Sequence, residues 1–315
     1  MSNVGSISGT GRSGTTILKK VLTCHPEVAS MPEGRLTVDP DGLIHYFSQM
    51  SDCWSPYNFH RATKRLERFL KDSQSKCSII FRGLSRISKR IMPRNGYVNY
   101  SDYCPSYSRY VDELLDQLTA FSFDGRWAGL SRFEEEQLLY GRHTEEKLAE
   151  ILGGFYRKVT RDICVHQNKS FYIEDNTWTL LHLDQYVKII PEARLLHIHR
   201  DPRDVVASYM TQTWMPSDPA KSAQIVADLM AQWWQVSGGL SSENIMELSL
   251  YDLVEDSEQV LRTICDYLGL SWSQDLLKIP LNRANRDRWK SEIPKSAHDE
   301  VQEILKPVLE HYSYA

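Results

Sequence analysis

Apolar and polar positions alternate in two different rhythms along the chain. Val4 to Ser8 is a short strand candidate followed by glycines at 9, 11 and 14. Behind it, Ile17, Leu18, Val21 and Leu22 recur at helical spacing, Lys19 and Lys20 fall on the other side, and Pro26 limits the helix. Val28-Ala29-Ser30 is a second apolar piece. Residues 34–168 are more polar and more aromatic, with helices expected around Phe59–Lys71, Val111–Phe121 and Thr144–His166. The last has the clearest stripe, running from Leu148 through Leu152, Phe155 and Val159 to Ile163. From about residue 170 the chain alternates again. Ser170–Ile173, Arg194–His199 and Ile245–Leu250 read as strands. Leu180–Val187, Pro202–Thr213, Ala220–Gly238, Ser257–Leu268 and Pro294–Tyr312 read as helices. Short apolar strands separated by helices predict an α/β fold with a central, mainly parallel sheet flanked by helices. One domain is expected, with 1–33 and 169–315 forming the core built on that sheet and 34–168 a largely helical insertion, the kind of segment in which specificity usually sits.

Composition narrows the classes. The chain has 315 residues, with 37 Lys+Arg against 41 Asp+Glu and a net charge of −4. That balance argues against a nucleic-acid binder relying on overall positive charge. No run approaches the ~18–20 apolar residues of a membrane span, and MSNVGSISGTGRSG does not read as a leader. The six cysteines are scattered without a C-x-x-C pair, which suggests neither a zinc site nor a disulfide framework. A reducing, cytoplasmic setting is expected.

The most informative stretch is Gly9-Thr10-Gly11-Arg12-Ser13-Gly14-Thr15-Thr16, between a strand and a helix. Such a loop turns its N–H groups inward to hold phosphate oxygens at a helix N-terminus. Its spacing matches a Walker A loop, except that Thr15 stands where that motif has the lysine serving the β/γ-phosphates. Arg12 supplies a fixed charge instead, able to face a bridging or leaving-group oxygen. A second signal is LLHIHRDPRDVVASYM. There Arg200 follows a strand at the sheet's carboxyl edge, Pro202 opens a helix, and Asp204 and Ser208 share a helix face. An arginine and a hydroxyl so placed can clamp one isolated phosphate.

RSGTT (Arg12–Thr16) and RDPRDVVAS (Arg200–Ser208) together resemble the 5′-phosphosulfate and 3′-phosphate signatures of sulfotransferases. That family uses 3′-phosphoadenosine 5′-phosphosulfate (PAPS) on a P-loop-kinase-like α/β fold. The likeness covers roughly 1–33 and 170–290. Its N-terminal run, RSGTTILKKVLTCHPEVASMPEGR, is especially similar to tyrosylprotein sulfotransferases and related bacterial enzymes. The resemblance implies Gly11, Arg12, Ser13, Gly14, Thr15 and Thr16 at the 5′-phosphosulfate and Arg200 and Ser208 at the 3′-phosphate. It further implies Tyr251 against the nucleotide, a closing loop containing Arg288, and Glu33 as catalytic base. PAPS would be the co-substrate, 3′,5′-adenosine bisphosphate (PAP) the product, and no metal would be required. One departure is Glu174-Asp175-Asn176-Thr177, where the family often carries a Lys-Thr-Pro-like stretch.

Alternatives are a P-loop nucleotide kinase, disfavoured by Thr15 and by no clear metal-binding Asp after a strand, and a non-catalytic nucleotide-binding protein. The acceptor is expected to be a small molecule, glycan or peptide, with no nucleic-acid or membrane partner. Basic runs (Arg61, Lys64, Arg65, Arg68 and Lys71; then Arg82, Arg86, Lys89, Arg90 and Arg94) and tyrosines from Tyr97 to Tyr110 fit solvated faces or packing as well as an acceptor site. His25, His45 and His60 read as packing or surface histidines.

Overall fold

Val4–Ser8 forms β1 with all five residues buried, as a strand covered on both faces requires. The computed structural model describes residues 3–32, 34–38, 40–72, 99–126, 136–241, 243–281 and 284–314. After β1 come α1 (Thr15–Leu22), β2 (Val28–Ala29), α2 (Leu43–Asp52), α3 (Pro56–Asp72), α4 (Tyr107–Leu118), β3 (Phe121–Gly125), β4 (Glu136–Tyr140) and α5 (Glu145–His166). Then follow β5 (Phe171–Asp175), α6 (Leu183–Ile189), β6 (Arg194–His199), α7 (Pro202–Tyr209), α8 (Pro219–Ser237) and β7 (Ile245–Ser249). Four helices close the chain: α9 (Leu250–Glu255), α10 (Ser257–Leu268), α11 (Trp289–Glu292) and α12 (His298–His311).

The five-stranded sheet runs β2-β5-β1-β6-β7. β1 lies parallel to β6, from Gly5 opposite Arg194 to Ser8 opposite His197, and β6 lies parallel to β7. The mainly parallel α/β architecture expected from the sequence is therefore present. Two compact units divide the chain. One comprises Met1–Val28, Ile173–Val187 and Glu192–Ala315, the other Ala29–Tyr172 and Lys188–Pro191. In the first, α7 contributes Val205, Val206 and Tyr209 to one apolar cluster with Val226 of α8, Trp289, and Leu305 of α12. That packing fixes the helix carrying Asp204 and Ser208.

The middle stretch is not helical throughout. β3 and β4 pair antiparallel from Phe121 opposite Tyr140 to Gly125 opposite Glu136. The helix expected to reach Phe121 ends at Leu118, because Thr119 is extended and the Ala120 N–H bonds the Tyr140 carbonyl at 2.8 Å. α2 is a further helix the periodicity did not single out. α7 stops at Tyr209, four residues short of the expected end. The expected Leu180–Val187 helix is a 3-10 turn, Thr177–Leu181, followed by α6. Asn176 starts that turn by accepting from the Trp178 N–H at 3.1 Å.

Candidate active site

The loop between β1 and α1 takes conformations that only a few residue types tolerate. Gly11 (φ 76°), Arg12 (φ 56°) and Gly14 (φ 114°) all lie at positive φ, folding the chain back over the helix start. At Gly14 a side chain would be strained by that φ, and its Cβ, 2.9 Å from Leu250 Cδ1, would also require the leucine to shift. The first turn of α1 has no side-chain cap and no acidic residue, leaving its positive end free for an anion. Ser13 is fully buried, and among the described residues its hydroxyl has no partner. An orphaned hydroxyl beside a bare helix start fits a phosphate oxygen, because a buried polar group without a partner is costly.

The second signal meets the first. Arg12 Nε donates to Ser208 Oγ at 2.9 Å, across 196 residues of sequence, and Arg200 Nη1 donates to the Arg12 carbonyl at 3.3 Å. Tyr209 donates its hydroxyl to the Thr10 carbonyl. Burial pushes that phenol above its ordinary range against the opposing charge of Arg12, which keeps it a donor. Arg200 is buried, and its Nε has no partner among the described residues, a second orphan beside the first. Both orphans belong to groups that bind phosphate well.

Asp204 ties this corner together. Its carboxylate accepts from Arg200 Nη2 at 3.3 Å, the Tyr251 hydroxyl at 2.9 Å, and the N–H groups of Asp287 and Trp289 at 3.1 Å each. Burial raises its pKa, opposed chiefly by the Trp289 N–H and the Arg200 charge. Arg200 Nη2 also donates to the Asn285 carbonyl at 2.7 Å, so the late loop is held by its backbone. Arg286 lies over the Tyr251 ring, 4.2 Å from its centroid. Arg288 instead forks onto Glu292, with Nη2 to Oε2 at 2.6 Å. Among the described late-loop cations, Arg286 is thus the one against Tyr251.

One contact that the sequence reading did not include lies at the end of β5. Asp175 closes a strand that neighbours β1 in the sheet, and it pairs with Lys19 of α1 at 3.5 Å, both side chains mostly buried.

Glu33, Tyr97 and the basic run 82–94 lie outside the described residues. His25 accepts from the Glu27 N–H at 3.1 Å, His60 from the Leu139 N–H at 3.1 Å and His45 from the Asp41 N–H at 3.0 Å, so each has a ring nitrogen engaged by backbone. Tyr100 and Tyr107 are buried and stacked on each other, 5.0 Å between centroids. Around α3, Lys64 and Lys71 pair with Glu67 at 3.1 and 2.9 Å. Among the described residues, no helix is long and apolar enough to cross a membrane.

A model of the sulfotransferase family matches residues 126–274. The family likeness is to the sulfotransferases. The matched segment includes Arg200, Ser208 and Tyr251, whereas the loop from Gly9 to Thr16 and Arg288 fall outside it. In fold, the chain is similar to the sulfotransferase domain from the Synechococcus PCC 7002 olefin synthase, with TM-score 0.53 and 15% identity over 98% of this chain and 94% of that one. It is also similar to the sulfotransferase domain from the curacin biosynthetic pathway, with TM-score 0.51 and 13% identity over 98% and 97%. At these identities the sulfotransferase neighbours speak for the fold alone. No curated protein matches the sequence.

Proposed function

We propose that the chain transfers a sulfuryl group from PAPS to a hydroxyl or amine acceptor and releases PAP. The observation that carries this reading is the junction of Arg12, Ser208 and Arg200, with Arg200 Nε and Ser13 Oγ left unpartnered beside it. Two phosphate-binding elements on adjacent strands suit a nucleotide phosphorylated at two separate positions. PAPS supplies the activated S–O bond. In transfer, a bond from the acceptor oxygen or nitrogen to sulfur forms, the bond from sulfur to the 5′-phosphate oxygen breaks, and the acceptor proton passes to a base.

The chain's residues divide the work. N–H groups at the start of α1 and the hydroxyls of Ser13, Thr15 and Thr16 hold the 5′ end. Arg12, oriented by Ser208, meets charge growing on the leaving oxygen, the role in which fixed donors lower a barrier most. Arg200 and Ser208 take the 3′-phosphate, and Tyr251 the nucleoside. Glu33 is the proposed base, on the resemblance alone, and general bases typically contribute about 10²–10⁴-fold. The acceptor is proposed to be a small molecule, glycan or peptide hydroxyl, in a cytoplasmic setting.

The kinase reading gains one observation, Asp175 at the end of a strand beside β1. Its carboxylate, however, is already paired with Lys19.

Thermal denaturation with PAP, and with Mg-ATP, each with and without chelator, separates the readings. Stabilisation by PAP that chelator leaves unchanged, together with label transfer from radioactive PAPS to an acceptor panel, is the expected result. A larger response to Mg-ATP than to PAP overturns it in favour of a kinase. Glu33→Gln is expected to abolish turnover while PAP binding persists, and near-normal turnover removes Glu33 from the mechanism.

A further inference from the structure

Lys19 sits one helical turn beyond Thr15 and three residues beyond Thr16, so it shares a face of α1 with both. Side chains in helices lean toward the N-terminus, which directs a long lysine back over the turn at residues 15 and 16. Asp175 ends β5, the strand next to β1, and meets Lys19 Nζ at 3.5 Å with little exposure of either group. In P-loop nucleotide hydrolases, a magnesium ion is held between the Ser/Thr after the Walker lysine and an Asp at a neighbouring strand. Thr16 stands at the sequence position of that hydroxyl and Asp175 ends the strand beside β1, and Lys19 brings its ammonium to this carboxylate.

We infer that Lys19 is an intrinsic counter-cation of the phosphate loop, a positioning residue that takes the place of a divalent metal and makes nucleotide binding metal-independent. An ammonium anchored by a carboxylate stays fixed when the nucleotide leaves, whereas a metal would have to be recruited with it. Lys19 acts by neutralising Asp175 beside the incoming phosphate and by placing one positive charge near the first turn of α1. The PAP arm of the test rests on the sulfotransferase reading; the metal arm does not.

The experiment compares the full-length protein with Lys19→Met, Asp175→Asn and the double variant. PAP affinity is measured by calorimetry in chelator and in excess Mg²⁺, and Mn²⁺ alone is titrated by electron paramagnetic resonance. The unmodified protein is expected to bind PAP equally in both buffers and to take up no Mn²⁺. Lys19→Met is expected to bind PAP at least about tenfold more weakly in chelator, the scale of one charge-assisted contact. It should recover in Mg²⁺ and bind one Mn²⁺. The double variant should lose both the recovery and the Mn²⁺ site. Asp175→Asn, which keeps the ammonium, should bind PAP in chelator within about twofold of the unmodified protein. A merely structural ion pair predicts instead that Lys19→Met is destabilised, takes up no Mn²⁺ and is not rescued by Mg²⁺, and that result overturns the inference. Mn²⁺ uptake by the unmodified protein also overturns it. Should Lys19→Met fail to fold, Lys19→Gln replaces it with the same deciding outcomes, and a loss of metal-free PAP binding in Asp175→Asn overturns the inference. Should the unmodified protein not bind PAP at all, the sulfotransferase reading fails while the Mn²⁺ comparison still decides the role of Lys19.

Discussion

Asp204 receives four donors on two oxygens: a guanidinium, a phenol and two backbone N–H groups, all in a buried corner. Removing the carboxylate strands the Arg200 charge away from water and releases the late loop at two points. Asp204→Ala is therefore expected to lower the free energy of unfolding by about 3–5 kcal/mol, the scale of breaking a buried pair from one side. Urea denaturation measures it, and a loss below 1 kcal/mol on that scale removes Asp204 from this structural role. Ser208 is a different case, because its hydroxyl orients Arg12 without carrying a buried charge. Ser208→Ala should cost no more than about 1.5 kcal/mol, the low end for a hydrogen bond to a charged group, because the exposed Arg12 guanidinium it releases can be solvated. Sulfuryl transfer should fall about tenfold or more, since the guanidinium loses its orienting partner and the bound phosphate a contact. Equal losses of stability and activity would show that the hydroxyl serves only the fold. In the sequence, Arg12 stands out inside a glycine-rich turn, Arg200 at a strand end, and Ser208 on a helix face two turns beyond that arginine. Asp204 is legible there only as the neighbour of Ser208 on that face, since an acid in a first helical turn already complements the helix dipole. Its partners at 287 and 289 become visible only when the chain has folded.

β6 carries an acid sensitivity of its own. His197 is fully buried and stacked on Trp233 of α8, 3.9 Å between centroids, and His199 lies on Tyr312 at 4.0 Å. Burial, with each histidine's neighbouring imidazole adding to it, pulls His197 down to about 3 and His199 down to about 4, from 6.5. Above pH 6.5 both rings are neutral in the folded and the unfolded chain, so stability is full there. Below it, only the unfolded chain takes up protons, until the folded values are reached. Stability should then decline by about 1.4 kcal/mol per pH unit for each histidine. Urea midpoints across a pH series test this, and His197→Phe should reduce the slope by about half, one proton of two. An unchanged slope in that variant would assign the acid sensitivity elsewhere. The same strand shows why some elements were legible in sequence and others not. β1 and β6 are covered on both faces and read as short apolar runs. β3 is exposed along its length, and its Phe-Ser-Phe pattern follows a helix whose apolar spacing continues through it. Periodicity alone therefore extended the helix, and only the pairing with Tyr140 ends it.

At the scale of the molecule, the unit that carries the phosphate-loop candidate is drawn from three separate stretches of chain, Met1–Val28, Ile173–Val187 and Glu192–Ala315. Contacts such as Arg12 to Ser208 and Arg200 to Asn285 join residues far apart in sequence. A ligand holding both the loop and the α7 corner binds only when these stretches are assembled, so it stabilises the assembled state alone. PAP at about a hundredfold above its Kd should add about 2.7 kcal/mol to stability, seen as a rise of several degrees in Tm. Arg12 offers the sharpest control. Its side chain is exposed, and its positive φ is shared by any residue other than glycine placed there. Arg12→Ala should thus keep the ligand-free Tm while losing much of the PAP-induced rise, because the charge it removes interacts with the ligand more than with the fold. A variant whose ligand-free Tm falls while the rise persists would make Arg12 a strut between the two phosphate elements. The charge on the leaving oxygen would then have to be met by other groups.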